Sequence, residues 1–179
     1  MILKEVYKFK KNNFIFKIKK ITSKDITKDY LQGLNTNKFV RYNINQKINK
    51  SFQINYIDEH NKSNDKIVIG IFNKNKLIGT CGAQKKSKKK YYIGIFIFNT
   101  KYRGLKLSKI LICYLSHYLK KKENISYVYA SVNRKNNISH NLFNALNFKT
   151  NLREKKRYKS DVVYFVKIKK LLEINNLLN

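Results

Sequence analysis

The stretch that decides the fold is Phe96–Leu111, with the sequence FIFNTKYRGLKLSKIL. It begins at the end of an apolar run, Tyr91–Phe98, which is typical of a buried strand. Over Lys106–Lys120 the apolar residues recur at helical spacing, which predicts an amphipathic helix. Backbone N–H groups at a helix start form an anion site together with the helix dipole, and Gly104 lets the backbone approach a ligand closely. The segment therefore predicts a phosphate-binding loop, with an ordinary strand-to-helix connection as the alternative.

Basic residues surround this loop and dominate the whole chain. Lys101, Arg103, Lys106 and Lys109 lie within it or beside it. Forty Lys plus Arg against ten Asp plus Glu give a net charge of +30. Such a charge attracts polyphosphate ligands and nucleic acid. An abundance of Lys, Asn, Ile and Tyr without Pro or Trp is also typical of A- and T-rich codons, so charge alone names no partner.

The periodicity on both sides of the loop predicts a mixed α/β sheet with crossovers in its second half. The predicted order is a strand with Phe14, Phe16 and Ile18, a helix over Lys24–Leu34 capped by Ser23, a helix over Lys50–Glu59, a hairpin of Ile67–Phe72 and Leu77–Ala83, a loop over Gln84–Lys90, the strand Tyr91–Phe98, the helix Lys106–Lys120, a strand over Ile125–Val132, a helix with Ile138 and Leu142 ended by Asn147, a strand over Asp161–Ile168, and a terminal helix over Lys170–Asn179. Without repeats or a linker, residues 1–179 are expected to form a single domain.

The remaining bulk features predict a cytoplasmic protein. Cys81 and Cys113 lie in apolar runs and match no metal-ligand spacing, so we expect buried thiols in a reducing compartment and no metal; a disulfide is the less favoured alternative. The N-terminal stretch is interrupted by lysines every few residues. It has neither the apolar core of a signal peptide nor the length of a membrane span.

The loop resembles the phosphate-binding signature of the GNAT acetyltransferase superfamily, an Arg or Gln followed by x-x-Gly-x-Gly/Ala. Its usual form reads like YRGKGIG before a helix. In Tyr102–Ser108, Arg103 and Gly104 match, Ser108 takes the small final position, and Lys106 replaces the customary middle glycine. A lysine is sterically disfavoured at positive φ. The resemblance implies that the backbone amides of this loop hold the pyrophosphate of acetyl-CoA, the cosubstrate. The residues concerned are Arg103, Gly104, Leu105, Lys106, Leu107 and Ser108.

A second segment, SVNRKNNISHNLFNALNFK, resembles the other motif of that superfamily, commonly N-x-x-A-x-x-L-Y-x-x-x-G-F. The residues in register are Asn136, Ser139, Leu142, Phe143 and Phe148, with Asn147 in the glycine position. The resemblance implies the GNAT fold, an α/β architecture with a mixed, mostly antiparallel central sheet, a splayed strand pair and flanking helices. It places pantetheine in the splay, against backbone groups near Phe96 and Phe98, and makes Asn136, Ser139 and Phe143 cofactor contacts.

The resemblance further implies an N-acetyltransferase in which an amine attacks the thioester directly. Such an enzyme supplies proximity, a polarising N–H, a base for the ammonium and an acid for the thiolate. The customary acid is a tyrosine at the position of Phe143, which cannot donate a proton, so Ser139 or a water is the expected substitute.

The base is sought on the second predicted helix, because Tyr91–Phe98 contains no carboxylate. Glu59 and His60 close that helix, in the region that lines the acceptor site in such enzymes. They are the candidate base, with Tyr91 and Tyr92 acting through water as alternatives.

The segment ITKDYLQGLNTNKFVRYN, residues 26–43, resembles a motif Y-L-x-W-L-N-D-P-x-V. It occurs in acetyltransferases of nucleotide-linked amino sugars and in relatives that acetylate ribosomal-protein N-termini. The matching residues are Tyr30, Leu31, Leu34, Asn35, Val40 and Tyr42, while Gly33 and Thr36 stand where Trp and Asp are usual. A nucleotide-linked amino sugar is the expected acceptor and a protein N-terminus the second; the alternative is that these are ordinary core positions of a first helix.

The expected partners are therefore acetyl-CoA and a small amine, for a monomer or homodimer without a membrane span. The alternative from another class is a catalytically inactive GNAT-like module that binds nucleic acid through its basic surface. Acetyl transfer that depends on an added amine supports the enzyme. Salt-sensitive nucleic-acid binding without turnover supports the module.

Overall fold

The computed structural model describes residues 6–39, 47–152 and 160–175. The strands are β1 (Tyr7–Lys11), β2 (Phe14–Lys20), β3 (Lys66–Asn73), β4 (Lys76–Ser87), β5 (Lys90–Ile97), β6 (Tyr127–Asn133), β7 (Lys149–Thr150) and β8 (Asp161–Lys167). The helices are α1 (Lys28–Thr36), α2 (Lys50–Lys62), α3 (Leu107–Glu123), α4 (Asn137–Asn144) and α5 (Ile168–Asn175). The predicted alternation of strands and helices is confirmed; residues 176–179 of the predicted terminal helix lie outside the described part.

The strands of the described residues form one mixed sheet in the order β1-β2-β3-β4-β5-β6-β8-β7. β1 with β2, β2 with β3, β6 with β8, and β7 with β8 pair antiparallel. β5 and β6 are parallel, and their register covers the pairs Tyr91↔Val128 and Tyr92↔Tyr129. This short ladder agrees with the splayed pair that the resemblance implies. The predicted α/β class with a mostly antiparallel sheet is confirmed.

The chain divides into two compact units, and the first has its core between helices and strands. It comprises the described residues up to Gly82 together with Ile95–Leu107. In β2 the side chains of Phe16 and Ile18 are fully buried, whereas Ile15 is 61% exposed, because successive side chains of a strand point to opposite faces. Helices α1 and α2 add their apolar residues to a cluster of Ile21, Ile26, Tyr30, Leu34, Ile48, Ile57, Val68, Phe72 and Leu77.

The second unit comprises Ala83–Gly94 and the described residues from Ser108 onward. Its core takes alternate residues of β6, where Val128, Ala130 and Val132 are buried. Helix α3 buries several turns of apolar residues, Leu111 and Leu115 among them. Helix α4 ends at Asn144, and the turn that follows it closes at Asn147, which has φ 57°; the Phe148 N–H donates to the Phe143 carbonyl at 3.0 Å. The predicted left-handed conformation of Asn147 is confirmed, but the helix ends three residues earlier than predicted. The prediction of a single domain stays a prediction.

The first helix begins later than predicted, and Ser23 is not its cap. Residues Ser23–Asp25 form one 3₁₀ turn, capped by Thr22. Asp25 accepts from the Thr22 N–H at 2.8 Å and pairs with Lys19 at 2.9 Å, and the next residue, Ile26, is extended. The helix then starts anew at Lys28, where the Thr27 hydroxyl accepts from the Tyr30 N–H. Local side-chain hydrogen bonds therefore interrupted a segment whose apolar periodicity looked continuous.

Two further predictions of local structure were wrong or incomplete. Gln84–Ser87 are not a loop but the end of β4, and Lys90 already belongs to β5. The turn is thus limited to Lys88 and Lys89, because hairpin pairing extends along backbone groups whatever the polarity of the side chains. Strands β1 and β7 were not predicted.

The described residues contain no helix long and apolar enough to cross a membrane. The prediction of buried thiols is confirmed, since Cys81 and Cys113 are free and buried. Burial raises the pKa of the Cys113 thiol to about 12, despite the nearby Lys109, so this side chain is a small apolar core group at neutral pH.

Candidate active site

The connection between β5 and α3 has the backbone of an anion-binding loop. After β5, Asn99 caps a 3₁₀ turn of Thr100–Tyr102. Gly104 follows with φ 80° and Lys106 with φ 58°, and α3 starts at the next residue. Lys106 thus adopts the left-handed conformation for which a glycine is customary. The lysine therefore adopts this conformation at the steric cost that a Cβ brings.

The loop leaves room for a ligand. Arg103, Gly104 and Lys106 are exposed, and a Cβ added at Gly104 would meet no heavy atom within 4 Å. The amides of Leu107 and Ser108 lie in the first turn of α3, where N–H groups have no intrahelical acceptor. The Arg103 N–H differs from them, because it donates to the Thr100 carbonyl at 3.1 Å. A phosphate here would therefore use the later amides and the Arg103 side chain.

Tyr102 connects this loop to β2 and β3 through side-chain contacts that the sequence did not predict. Its hydroxyl donates to Asn73 Oδ1 at 3.2 Å, and Asn73 is itself 8% exposed. The Asn73 amide in turn donates to the Ile15 carbonyl at 2.8 Å. The rings of Phe14 and Phe16 lie edge-on to Tyr102, with centroids 5.3 and 5.8 Å away. The β1–β2 hairpin and the end of β3 thus hold the residue that precedes Arg103.

Phe96 and Phe98 lie in an aromatic cluster with α1. Their centroids are 5.8 Å apart, and the Phe98 ring is 5.3 Å from the Tyr30 ring. An added Cβ at Gly33 would be 2.5 Å from Phe98 Cβ, so α1 approaches β5 through this glycine. The Trp usual at the Gly33 position has no space here. The Phe98 N–H donates to the Ile78 carbonyl at 3.2 Å and is already used.

The acceptor motif on α1 supplies core contacts. Tyr30 and Leu34 are buried, and the Tyr30 hydroxyl accepts from the Gln53 amide at 3.0 Å. Burial, and secondarily Tyr56, raises the pKa of Tyr30 well above its ordinary value, so it stays a neutral phenol. Asn35 joins α1 to the segment before α2 by donating to the Ile48 carbonyl and accepting from the Ile48 N–H. Val40 and Tyr42 of the motif lie outside the described residues.

The two candidate bases on α2 have different surroundings. Glu59 is exposed, whereas His60 is 9% exposed, since neighbouring helix residues do not face the same way. His60 Nδ1 lies 2.7 Å from the Tyr56 carbonyl, which can only accept, so this nitrogen carries the proton. Burial lowers the pKa of His60, an effect opposed by the Tyr56 carbonyl. His60 is therefore a neutral imidazole with its lone pair on Nε2.

Along the axis of α2, His60 is displaced from the residue that contacts the cluster of Tyr30, Phe96 and Phe98. Seven residues separate it from Gln53, the α2 residue that contacts Tyr30. At a helical rise of 1.5 Å per residue this is about 10 Å along the axis.

The residues of the second motif cap helix α4 and pack it against its surroundings. The Asn136 side chain caps α4 by accepting from the Ser139 N–H at 3.2 Å. Ser139 is half-buried, and Phe143 is 3% exposed. The Phe143 ring lies between the rings of Phe148 and Tyr164, with centroids 4.9 and 5.9 Å away. The Asn136 oxygen is therefore engaged by the backbone, and Phe143 belongs to the core of the second unit.

His140, one turn before Phe143, has both ring nitrogens engaged. Nε2 lies 3.1 Å from the Asn133 carbonyl and must donate to it, so Nδ1 of the neutral ring accepts from the Tyr164 hydroxyl at 2.7 Å. It links α4 to β6 and β8, and the sequence could not distinguish this role from that of a base.

The predicted site residues are divided between the two compact units. Glu59, His60, Phe96, Phe98 and Arg103–Leu107 belong to the first unit, and Ser108, Asn136, Ser139 and Phe143 to the second. The roles assigned to these residues stay predictions. Within the described residues, no three His, Cys, Asp or Glu side chains are grouped so that they could hold a metal ion.

Comparisons with known proteins give one family. A sequence model of the Acetyltransferase (GNAT) family matches residues 32–148. Among solved structures, the chain is similar to the PaiA N-acetyltransferase of Thermoplasma acidophilum in complex with coenzyme A, with 20% identity over 85% of this chain and 98% of the other, and a TM-score of 0.66. It is similar to YncA of Salmonella typhimurium with its cofactor acetyl-CoA, with 11% identity, coverages of 86% and 94%, and a TM-score of 0.68.

A third similar structure is a spermidine N-acetyltransferase chimera from Vibrio cholerae and hSSAT, with 15% identity, coverages of 88% and 98%, and a TM-score of 0.67. At these identities the likeness shows the fold. No curated protein sequence matches the chain.

Proposed function

Because the chain belongs to the GNAT acetyltransferase family, we propose that it acetylates the primary amine of a nucleotide-linked amino sugar. The chain is an N-acetyltransferase, and its acetyl donor is acetyl-CoA. The cofactor part of the proposal is carried by the conformation of the loop before α3, where Lys106 occupies a left-handed position in an open, basic turn, and the acceptor part by the charge of the chain.

The residues of this loop have distinct tasks toward the cofactor. Amides at the start of α3 are oriented toward an anion, and the Arg103 and Lys106 side chains add positive charge. The Asn73–Tyr102 hydrogen bond fixes the approach to the loop. Bound acetyl-CoA supplies an acetyl group activated as a thioester. The protein then has to position the amine and remove its proton.

The charge of the chain supports an anionic acceptor. A net charge of +30 repels a polycation such as spermidine and attracts a diphosphate. Asp25 and Glu123 are already paired with lysines, and Asp161 accepts from the Ser131 hydroxyl at 2.6 Å. These three carboxylates are therefore already engaged within the protein. A protein N-terminus is the second candidate, since the motif on α1 also occurs in enzymes that acetylate ribosomal proteins.

For the proton transfers we propose His60, with its basic Nε2, or Glu59 as the base, and Ser139 as the group that replaces the customary tyrosine acid. Neutral His60 is in the state that a base requires, and its surroundings keep it so at neutral pH. We also propose that the protein is a single-domain cytoplasmic monomer or homodimer.

The first experiment is calorimetric titration of Gly104→Glu with acetyl-CoA. The new carboxylate faces the phosphates, so binding should be lost, while the thermal unfolding temperature should fall by only a few degrees, because φ 80° strains a residue that has a Cβ. Asn124→Glu is the matched control, because Asn124 is also exposed with φ 47° and lies beyond the opposite end of α3. It should bind acetyl-CoA normally. Unchanged affinity of Gly104→Glu would contradict the assignment of the loop.

The acceptor is tested separately by a coupled thiol assay with acetyl-CoA. Amine-dependent release of CoA with a uridine-diphosphate amino sugar, and none with spermidine or with a peptide carrying a free N-terminus, supports the proposed acceptor. Release with the peptide alone would support the second candidate.

A further inference from the structure

The second unit presents aromatic rings on one face of its sheet. Tyr92 of β5 is paired with Tyr129 of β6, and Tyr129 is paired with Phe165 of β8. Paired residues of neighbouring strands point to the same face, so the three side chains form a row across the strands. Tyr127 lies two residues before Tyr129 and therefore on the same side. We call these four residues, Tyr92, Tyr127, Tyr129 and Phe165, the aromatic face.

The rings are ordered against one another and still accessible. Tyr129 stacks on Tyr92 with centroids 5.7 Å apart and on Phe165 with centroids 6.2 Å apart. The Tyr127 and Phe165 centroids are 6.3 Å apart. Tyr127 is 38% exposed, and the other three rings are half-buried. The opposite side of β6 carries Val128 and Ala130, which are buried in the core of the unit. The sheet thus has a core side and an accessible aromatic side.

Lysines border these rings. Lys90 Nζ lies 5.1 Å from the centroid of the Tyr129 ring. Lys167 is paired with Tyr127, and Lys149 is paired with Phe165, so both stand on the same side of the sheet. Both are exposed.

Among the described residues of strands β5 to β8, one carboxylate shares this side of the sheet. Asp161 is paired with Asn133 at the far end of β6, is 5% exposed and accepts from Ser131. The charge that the aromatic face offers to a partner is therefore positive.

We propose that the aromatic face binds a single strand of nucleic acid. Flat bases stack on accessible tyrosine and phenylalanine rings, and lysines beside the rings neutralise the phosphates that connect successive bases. A sheet surface with this combination of rings and cations fits a polyanion with aromatic units better than it fits another basic protein surface. A second copy of this chain brings the same lysines to the interface, and two faces of like charge repel each other.

Apart from Tyr92, an alternative base in the sequence analysis, this inference uses none of the residues assigned to acetyl transfer. It assigns the chain a surface through which the enzyme is held at a nucleic acid, with the acetylation reaction left to the residues described above. The two are distinguishable, because loss of strand binding with retained acetyl-CoA binding separates one surface from the other.

The test is fluorescence anisotropy with a labelled oligouridine of about 12 nucleotides, with a labelled duplex of equal length for comparison. The variant Tyr129→Leu/Phe165→Leu keeps apolar volume in the sheet and removes the stacking surface. We expect it to weaken strand binding on the order of tenfold or more, and duplex binding little, because paired bases are not available for stacking. Calorimetric titration with acetyl-CoA checks that the variant is folded.

A charge variant gives a second measurement that does not disturb the rings. Lys90→Gln/Lys167→Gln removes two cations beside the aromatic face, and the slope of log affinity against log salt should become shallower by about 1.4. The matched control is Lys8→Gln/Lys10→Gln, which removes two cations exposed on β1. It should change the slope less and leave the preference for the single strand intact.

Three results would overturn the proposal. One is equal affinity for strand and duplex, and another is equal weakening by the Lys8/Lys10 control, since either means that net charge alone is responsible. The third is a homodimer, seen by sedimentation, that Tyr129→Leu/Phe165→Leu dissociates. The occupant of the aromatic face would then be a second copy of the chain.

Discussion

Replacing Lys106 by glycine distinguishes two effects in the proposed phosphate loop, the effect of the backbone conformation on stability and the effect of the lysine charge on acetyl-CoA binding. Lys106 is exposed and has φ 58°. A left-handed conformation costs a residue with a Cβ roughly 1–2 kcal/mol, whereas glycine costs about 0.5–1 kcal/mol more chain entropy on folding. The difference predicts that Lys106→Gly raises the free energy of unfolding by roughly 0.5–1 kcal/mol. For a chain of this size the unfolding temperature should rise by about 1–4 °C.

The same substitution weakens the cofactor site, because it removes a cation next to the start of α3. An exposed pair of opposite charges contributes on the order of 0.3–1 kcal/mol. The Kd for acetyl-CoA should therefore rise roughly two- to fivefold by calorimetry. Stability and affinity thus move in opposite directions.

Two control variants assign these effects. Lys106→Gln removes the charge and keeps the Cβ, so it should weaken acetyl-CoA binding as much as Lys106→Gly without raising the unfolding temperature. Lys74 is also an exposed lysine at positive φ, 45°, in the turn between β3 and β4. Lys74→Gly should raise the unfolding temperature and leave acetyl-CoA binding unchanged.

The reasoning is refuted if Lys106→Gly lowers the unfolding temperature while Lys74→Gly raises it, because Lys106 would then not be left-handed. It is equally refuted if both Lys106 variants bind acetyl-CoA with unchanged affinity, because the loop would then not hold the phosphates.

Three further outcomes follow from the packing of the first unit. Burial lowers the pKa of His60 below 6.5, so between that lowered pKa and 6.5 the unfolded chain binds more protons than the folded one. The free energy of unfolding should therefore fall as the pH drops below 6.5. His60→Asn should reduce this fall, as measured by urea midpoints at about pH 7.5 and 5.5. Tyr102→Phe leaves buried Asn73 Oδ1 without its donor and should lower the free energy of unfolding by about 1–2 kcal/mol and weaken acetyl-CoA binding, as followed by thermal unfolding and calorimetry. Gly33→Ala gains about 1 kcal/mol of helix propensity, but its Cβ meets Phe98 Cβ at 2.5 Å, so we expect net destabilisation by roughly 1–2 kcal/mol in thermal unfolding.

Each of these outcomes can be contradicted. A pH dependence of stability that is the same in His60→Asn would remove His60 from the titration. Tyr127→Phe, an exposed tyrosine on β6, is the control for Tyr102→Phe and should change neither measurement. A stabilised Gly33→Ala would mean that α1 moves away from β5 without cost.

Patterns within short segments predicted much of this fold. The apolar run of β5, the helical period of α3 and the left-handed conformation of Asn147 after α4 are properties of neighbouring residues, and the structure confirms them. Strand β1 also has such a signal, because Tyr7 and Phe9 alternate with Lys8 and Lys10, but the many lysines obscured it. Strand β7 has only two residues, too few for any period.

The contacts that shape the candidate site were not predictable in the same way. Tyr102 and Asn73 are 29 residues apart, and a pattern within one segment contains no information about a partner on another strand. The same holds for Gly33 and Phe98, where a small residue on α1 is matched by a large one directly after β5. One departure from the family motifs acquires a reason only in the tertiary structure, because Gly33 permits close packing against Phe98.

The choice among histidines shows how structure narrows a chemical role. A base needs a nitrogen lone pair that is not engaged. His140 fails this condition, because the Asn133 carbonyl and the Tyr164 hydroxyl engage both of its ring nitrogens. His60 meets it, since the Tyr56 carbonyl fixes the proton on Nδ1 and leaves the lone pair on Nε2. If His60 is the base, the acceptor amine must lie near the C-terminal end of α2, about 10 Å along the helix axis from Gln53.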